Sequence, residues 1–188
     1  GEIAQKEKPC FSCSSSCGSG SSSKPTTQEY GKALGYTEEE LKEAPIGSNL
    51  SLGCGNPGAI AALKEGEVVV DLGSGGGFDC FLASKKVGST GRVIGVDMTP
   101  DMISLARKNA LKGGYTNVEF RLGEIEHLPV EDAIANAVIS NCVVNLSPNK
   151  EAVFKEAARV LKIGGRVAIS DIVTSTELPD EIKKDINL

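Results

Sequence analysis

The sequence has a single histidine, His127, in 188 residues, which excludes any catalytic arrangement built on several imidazoles. It also lacks a surplus of positive charge. Its 20 lysines and arginines against 25 aspartates and glutamates leave a net charge of −5, which removes the electrostatic case for wrapping nucleic acid. No apolar run approaches the ~18 residues of a membrane span; the longest are as short as residues 59–63 and 68–70. Neither nucleic acid nor membrane is therefore expected as a partner. The first eight residues contain no apolar core, so no secretory signal is read there and a cytoplasmic location is expected.

What is present is sulfur. Six cysteines in a chain without an export signal argue for reduced, working thiols rather than a disulfide frame. Cys10, Cys13 and Cys17 lie near the start, and Cys54, Cys80 and Cys142 are scattered. Residues 12–23 are only Ser, Cys and Gly, with no side chain able to offset ordering entropy, so residues 1–27 read as a flexible arm. The spacing C-x2-C-x3-C lacks a fourth ligand, which makes it a weak zinc signal; soft-metal capture by a mobile arm fits it better.

Residues 28–66 read as a helical prelude. Thr37-Glu38-Glu39-Glu40 has the form of a capping box, and Asn56-Pro57 supplies a cap and a first-turn proline for a helix over 58–63 that ends by Gly66. From Val68 strands and helices alternate. Strands are expected at 68–72, 92–97, 118–122, 137–141 and 166–171. Helices are expected at 78–87, from Thr99-Pro100 to Gly113-Gly114, and from Ser147-Pro148 to Gly164-Gly165. No internal repeat is found. Near-continuous apolar strands separated by helices predict an α/β domain over 67–188, a Rossmann-like parallel sheet with helices on both faces.

After the first strand comes Asp71-Leu72-Gly73-Ser74-Gly75-Gly76-Gly77-Phe78. Glycines there let a ligand approach the amides at the next helix. Asp97, at the tip of the second strand, can hold two ribose hydroxyls. The dinucleotide pattern fails because Phe78 stands at its third glycine, so a nucleoside without a pyrophosphate is favoured over NAD. S-adenosylmethionine fits. Asp71 would lie near its ammonium, Gly73, Ser74, Gly75 and Gly77 under its amino-acid portion, Asp97 on the ribose and Met98 against the adenine. Glu124 and the Ile125 amide would face the adenine edge, and Asn141 is counted with the cofactor residues.

Cys142 follows the fourth strand, at the rim where open α/β sheets bind ligands, among the polar Ser140, Asn141 and Asn145. Cys54 precedes the Asn56 cap, where a helix N-terminus favours thiolate, and thiolates bind soft metalloids. Cys80 falls among Phe78, Phe81 and Leu82 and reads as core. His127 reads as structural or solvated.

The motifs Asp-Leu-Gly-Ser-Gly-Gly-Gly (71–77), Val-Ile-Gly-Val-Asp-Met (93–98), Gly-Glu-Ile-Glu-His-Leu-Pro (123–129) and Val-Leu-Lys-Ile-Gly-Gly (160–165) resemble the class I methyltransferase series. Leu-Gly-Cys-Gly-Asn-Pro (52–57), Gly-Phe-Asp-Cys (77–80) and Ser-Asn-Cys-Val-Val-Asn-Leu (140–146) resemble the prokaryotic arsenite methyltransferases, as does the Cys/Ser-rich start. The resemblance implies methyl transfer from S-adenosylmethionine to trivalent arsenic held by Cys54 and Cys142. Arsenite or its thiol conjugates would be substrate, with a thioredoxin- or glutathione-like thiol reductant. It also implies a third arsenic-binding cysteine shortly after Leu-Pro-Asp-Glu-Ile (178–182), and further strands. Neither lies within 188 residues, so the sheet is expected to be incomplete and cofactor binding to be better preserved than catalysis. Two other readings stay open: a methyltransferase acting on a quinone-like carbon molecule, and a non-catalytic thiol protein that binds arsenic or soft metals.

Overall fold

The structure, a computed structural model, describes residues 26–45 and 47–173. The Cys10, Cys13 and Cys17 arm and the 178–182 segment lie outside the described residues.

The prelude holds α1 (Thr27–Ala33), α2 (Glu38–Glu43) and α3 (Pro57–Ile60). Then come β1 (Val68–Leu72), α4 (Phe78–Val87), β2 (Arg92–Asp97), α5 (Pro100–Gly113), β3 (Val118–Leu122), β4 (Ala135–Asn141), a 3-10 turn (Val144–Leu146), α6 (Lys150–Val160) and β5 (Leu161–Ser170). Among the described residues the five strands pair in parallel, in the order β3-β2-β1-β4-β5, which is the expected Rossmann-like sheet.

Alternation along the strands separates two cores. Val69, Val93 and Ile139 face α4 and α5 with Phe81, Ala106 and Phe120; Val70, Ile94 and Val138 face α6 with Val153, Ala157 and Val160. Both faces of the central strands are therefore dry, which is why β1 reads as an unbroken apolar run. β1 changes neighbours from β2 on one side to β4 on the other, so the crevice beyond its C-terminal end is open for a ligand.

Three expectations at the ends of elements need correcting. The α3 helix stops after four residues instead of reaching Leu63, because Ala62 turns left-handed (φ 47°). The Arg166 guanidinium, arriving from β5, takes the Ala61 and Ala62 carbonyls that a longer helix would use. The α6 helix is capped by Asn149, whose side chain accepts from the Ala152 amide, and not by Ser147-Pro148. It ends at Val160 rather than at the glycines. Gly164 and Gly165 lie inside β5, where the pairing jumps from Ala135↔Leu161 to Ala137↔Arg166. The extra residues form a bulge, and Gly164 takes the positive φ (81°) that the bulge needs.

Candidate active site

Gly73 leaves β1 with φ 70°, and a Cβ there would lie 2.3 Å from the Val143 side chain, so only glycine allows the loop to pass under the β4 exit. Gly75, at φ 50°, has nothing within 4 Å of its Cβ position; its open side faces the cleft. Asp97 at the tip of β2 holds this loop. Its carboxylate accepts from the Gly75 amide (2.9 Å) and the Thr99 amide (2.8 Å). Each oxygen keeps a further lone pair for a ligand hydroxyl.

Between this loop and the prelude lies a cleft of about 350 Å³. Asp71, Gly73, Ser74, Gly75, Asp97, Asn141 and Cys142 line it from the sheet, and Tyr30, Tyr36, Ser51 and Gly53 from the prelude. The hydroxyls of Ser51 and Ser74 are buried on its wall without a hydrogen-bond partner, which suits a polar ligand. Gly77 opens α4 just behind it. Met98, 74% exposed, Glu124 and Ile125 lie off its wall, Ile125 packed in the core. His127 is exposed, and its amide donates to the Glu124 carbonyl.

At the other end of the cleft the chain brings together two cysteines 88 residues apart. Cys54 and Cys142 have Cα atoms 5.8 Å apart and their sulfurs are joined as a disulfide, where reduced thiols are expected from the sequence. The pairing follows from how two loops approach. A Cβ on Gly53 would lie 2.6 Å from the Asn141 amide nitrogen, and one on Gly55 would lie 2.0 Å from Ser170 Oγ. The flanking glycines therefore let the Cys54 loop rest directly on the ends of β4 and β5. Cys142 itself is left-handed (φ 56°), a conformation that costs a non-glycine residue about 1–2 kcal/mol. Its amide donates to the Ser170 carbonyl (2.8 Å), and the Cys54 sulfur lies 3.3 Å from the same carbonyl oxygen.

Asn141, on the wall of the cleft, also ties three elements together. Its carbonyl accepts from the Cys54 amide (2.8 Å), and its N–H groups are shared among the Gly55 carbonyl (2.9 Å), Asp79 (3.0 Å) and the Tyr36 hydroxyl (3.0 Å). These bonds fix the Cys54 loop against the end of β4. Tyr36 donates to Asp79 (2.7 Å), so prelude and α4 are tied at the same point. Burial raises the Asp79 carboxyl above its usual range, against the hydrogen bonds from Tyr36 and Asn141. Sequence reasoning missed Tyr36, Asp79 and Asp171; only Gly-Phe-Asp-Cys (77–80) carries a trace of this network.

Cys80 is buried as expected, and its thiol donates to Asp71 (3.1 Å). Asp71 is pushed well above the ordinary carboxylate range, first by burial and then by the Asp79 and Asp97 charges. The folded chain thus holds this proton to higher pH than the unfolded chain does. Above an unfolded value of about 3.9, stability must fall as pH rises through the folded value. Asp71→Asn, which retains an oxygen for the Cys80 thiol, should raise the melting temperature of the ligand-free chain at pH 7. The gain should shrink as the pH approaches 4. In a chain of this size about 1 kcal/mol corresponds to about 2–4 °C. Thermal unfolding at the two pH values checks it, and a lower melting temperature for the variant at pH 7 would contradict it.

Residues 63–188 match the methyltransferase domain family. The chain is 56% identical, over 88% of its length, to an arsenite methyltransferase of Halobacterium salinarum, of which it spans 42%. It is 38% identical, over 85% of its length, to the arsenite methyltransferase of Homo sapiens, of which it spans 43%. The chain thus covers less than half the length of these curated relatives. The crystal structure of an arsenic(III) S-adenosylmethionine methyltransferase from Chlamydomonas reinhardtii overlays it with a TM-score of 0.65 at 40% identity, covering 87% of this chain and 54% of that one. No helix among the described residues is long and apolar enough to cross a membrane. With its parallel sheet and its glycine loop after β1, the chain belongs to the methyltransferase-domain family.

Proposed function

We propose that this chain binds S-adenosylmethionine in the cleft and presents trivalent arsenic to it on the reduced thiols of Cys54 and Cys142. The observation that carries this reading is the convergence of two distant cysteines at the rim of the cleft, beside the glycine loop. The cofactor, when bound, supplies an electrophilic methyl group on a sulfonium. The donors present suit it: Asp71 for its ammonium, the Asp97 carboxylate for ribose hydroxyls, and the partnerless Ser51 and Ser74 hydroxyls for its polar groups. Met98, Glu124 and Ile125 would meet the adenine only if the ligand extends past the cleft wall.

On the substrate side, each thiol replaces one hydroxyl of arsenite and its proton leaves with that hydroxyl, so two As–S bonds form and two waters depart. The arsenic lone pair stays free. No residue needs to remove a proton from the nucleophile, which agrees with the exposed position of the single histidine. The work of the protein is orientation and exclusion of water, effects able to supply roughly 7–11 kcal/mol. Two thiols this close need a reductant to be available for arsenic, and a thioredoxin- or glutathione-class thiol in the cytoplasm meets that need.

Transfer of a labelled methyl group from S-adenosylmethionine to arsenite is the test of the reading; a chain that binds neither compound would refute it. Within it, Asp97→Ala should weaken S-adenosylmethionine by about 1–3 kcal/mol, because the ribose loses a charged acceptor and the Gly75 amide loses its own. NAD should not bind. Calorimetry with an unchanged dissociation constant for the variant would remove Asp97 from the ribose.

A further inference from the structure

The Asp171 carboxylate follows the last residue of β5 and stands beside the two cysteines. One oxygen of Asp171 and the sulfurs of Cys54 and Cys142 all lie within 4.8 Å of one another, all three residues being half-buried. The carboxylate is held in place by two backbone amides, from Asn145 (3.0 Å) and from Ile172 (2.8 Å). The preceding Ser170 carbonyl accepts from the Cys142 amide and lies 3.3 Å from the Cys54 sulfur, so all three groups gather at one short stretch of strand end.

We propose that Asp171 completes, with reduced Cys54 and Cys142, a two-sulfur, one-oxygen site for a thiophilic divalent cation such as Zn²⁺ or Cd²⁺. The inference rests on the reading of these cysteines as reduced, working thiols. Metal–sulfur bonds of about 2.3 Å and metal–oxygen bonds of about 2.0–2.2 Å around a tetrahedral centre put neighbouring donors about 3.6–3.8 Å apart; the two sulfurs take up that spacing once their disulfide is reduced, and it lies inside the 4.8 Å within which the three groups are already gathered. Two thiolates and a carboxylate carry three negative charges, against the two positive charges of the ion. Binding releases one proton from each thiol, and three protein donors leave the fourth tetrahedral position to water. Soft thiolates select such ions over Mg²⁺ or Ca²⁺. Because it uses the same sulfurs, the cation competes with arsenite, whereas the carboxylate serves the cation alone.

The test uses the full chain with Cys10, Cys13 and Cys17 replaced by serine, reduced and titrated with Cd²⁺ alone. Thiolate-to-cadmium absorbance in the ultraviolet is the readout. One equivalent of Cd²⁺ should bind with release of two protons, and Cys142→Ser should abolish binding. Asp171→Asn should weaken Cd²⁺ about tenfold or more while changing arsenite affinity less than about twofold. Asp171→Glu, which restores the carboxylate, should recover part of the loss, and matched unfolding temperatures exclude a folding defect. Cd²⁺ bound as tightly by Asp171→Asn as by the parent, or bound without Cys142, overturns the site and leaves the arsenite reading standing. Cd²⁺ held by all three groups in a chain that does not bind arsenite would leave the site standing and overturn the arsenite reading.

Discussion

Replacing Cys142 with serine should abolish arsenite binding by the reduced chain and, with it, methyl transfer to arsenic. A hydroxyl is neither soft nor ionised near neutral pH, so it cannot replace the thiolate as an arsenic ligand. Cys54 would then hold arsenic through one sulfur and lose the advantage of a paired site, in which the second bond forms within the molecule. The fold should survive. Cys142 is half-buried at a strand exit, its amide bond to the Ser170 carbonyl involves no side-chain atom, and serine differs from cysteine by one atom. S-adenosylmethionine affinity should therefore change little, since Asp71, Asp97 and the glycine loop are untouched. Equilibrium arsenite binding and calorimetry with the cofactor, run on one preparation, separate these effects. Retention of arsenite by the serine variant would move the substrate away from the Cys54–Cys142 pair. Cys142→Gly adds an internal check: it removes the thiol and relieves the left-handed strain, so it should lose arsenite while matching or exceeding the parent in stability.

The strands were readable because each is a short apolar, β-branched run closed by glycine, proline or charge. β1, β2, β3, α4 and α5 occupy the residues that the pattern assigns to them. The failures share a cause. Gly164-Gly165 reads locally as a helix stop, yet the length of β4 opposite turns those residues into a bulge. Asn56-Pro57 starts a helix as expected, and a distant guanidinium on β5 cuts it short. The site divides the same way. The acidic tips and glycines of the cofactor loop are local in sequence and could be recognised there. The network through Asn141 spans 87 residues to Cys54 and 105 to Tyr36, and nothing in either neighbourhood announces it. Asp171 is an ordinary acid at a strand end until the fold sets it next to two sulfurs.

The same long-range packing makes Gly55 a sensitive position. A Cβ there would lie 2.0 Å from Ser170 Oγ and 2.9 Å from Ser170 Cβ; the hydroxyl can rotate aside but the Ser170 Cβ cannot, so Gly55→Ala is expected to move the Cys54 loop away from β5. Gly55 has no positive φ, and alanine suits its backbone; the effect comes from space alone. The displaced loop would loosen the hydrogen bonds that Asn141 makes to the Cys54 amide and the Gly55 carbonyl, which set where the sulfur lies. In-line attack tolerates little misplacement, and about 1 Å can cost roughly 100-fold in rate. Gly55→Ala should therefore lower methyl transfer to arsenic about 100-fold and weaken arsenite, while S-adenosylmethionine affinity stays near that of the parent. Ser170→Gly removes both atoms that the new methyl would strike, so the double variant should recover most of the loss. Its coupling in a double-mutant cycle isolates the contact from any general destabilisation. Additive losses in the double variant would mean that the approach of these two loops does not set the sulfur geometry, and that Cys54 reaches arsenic by another path.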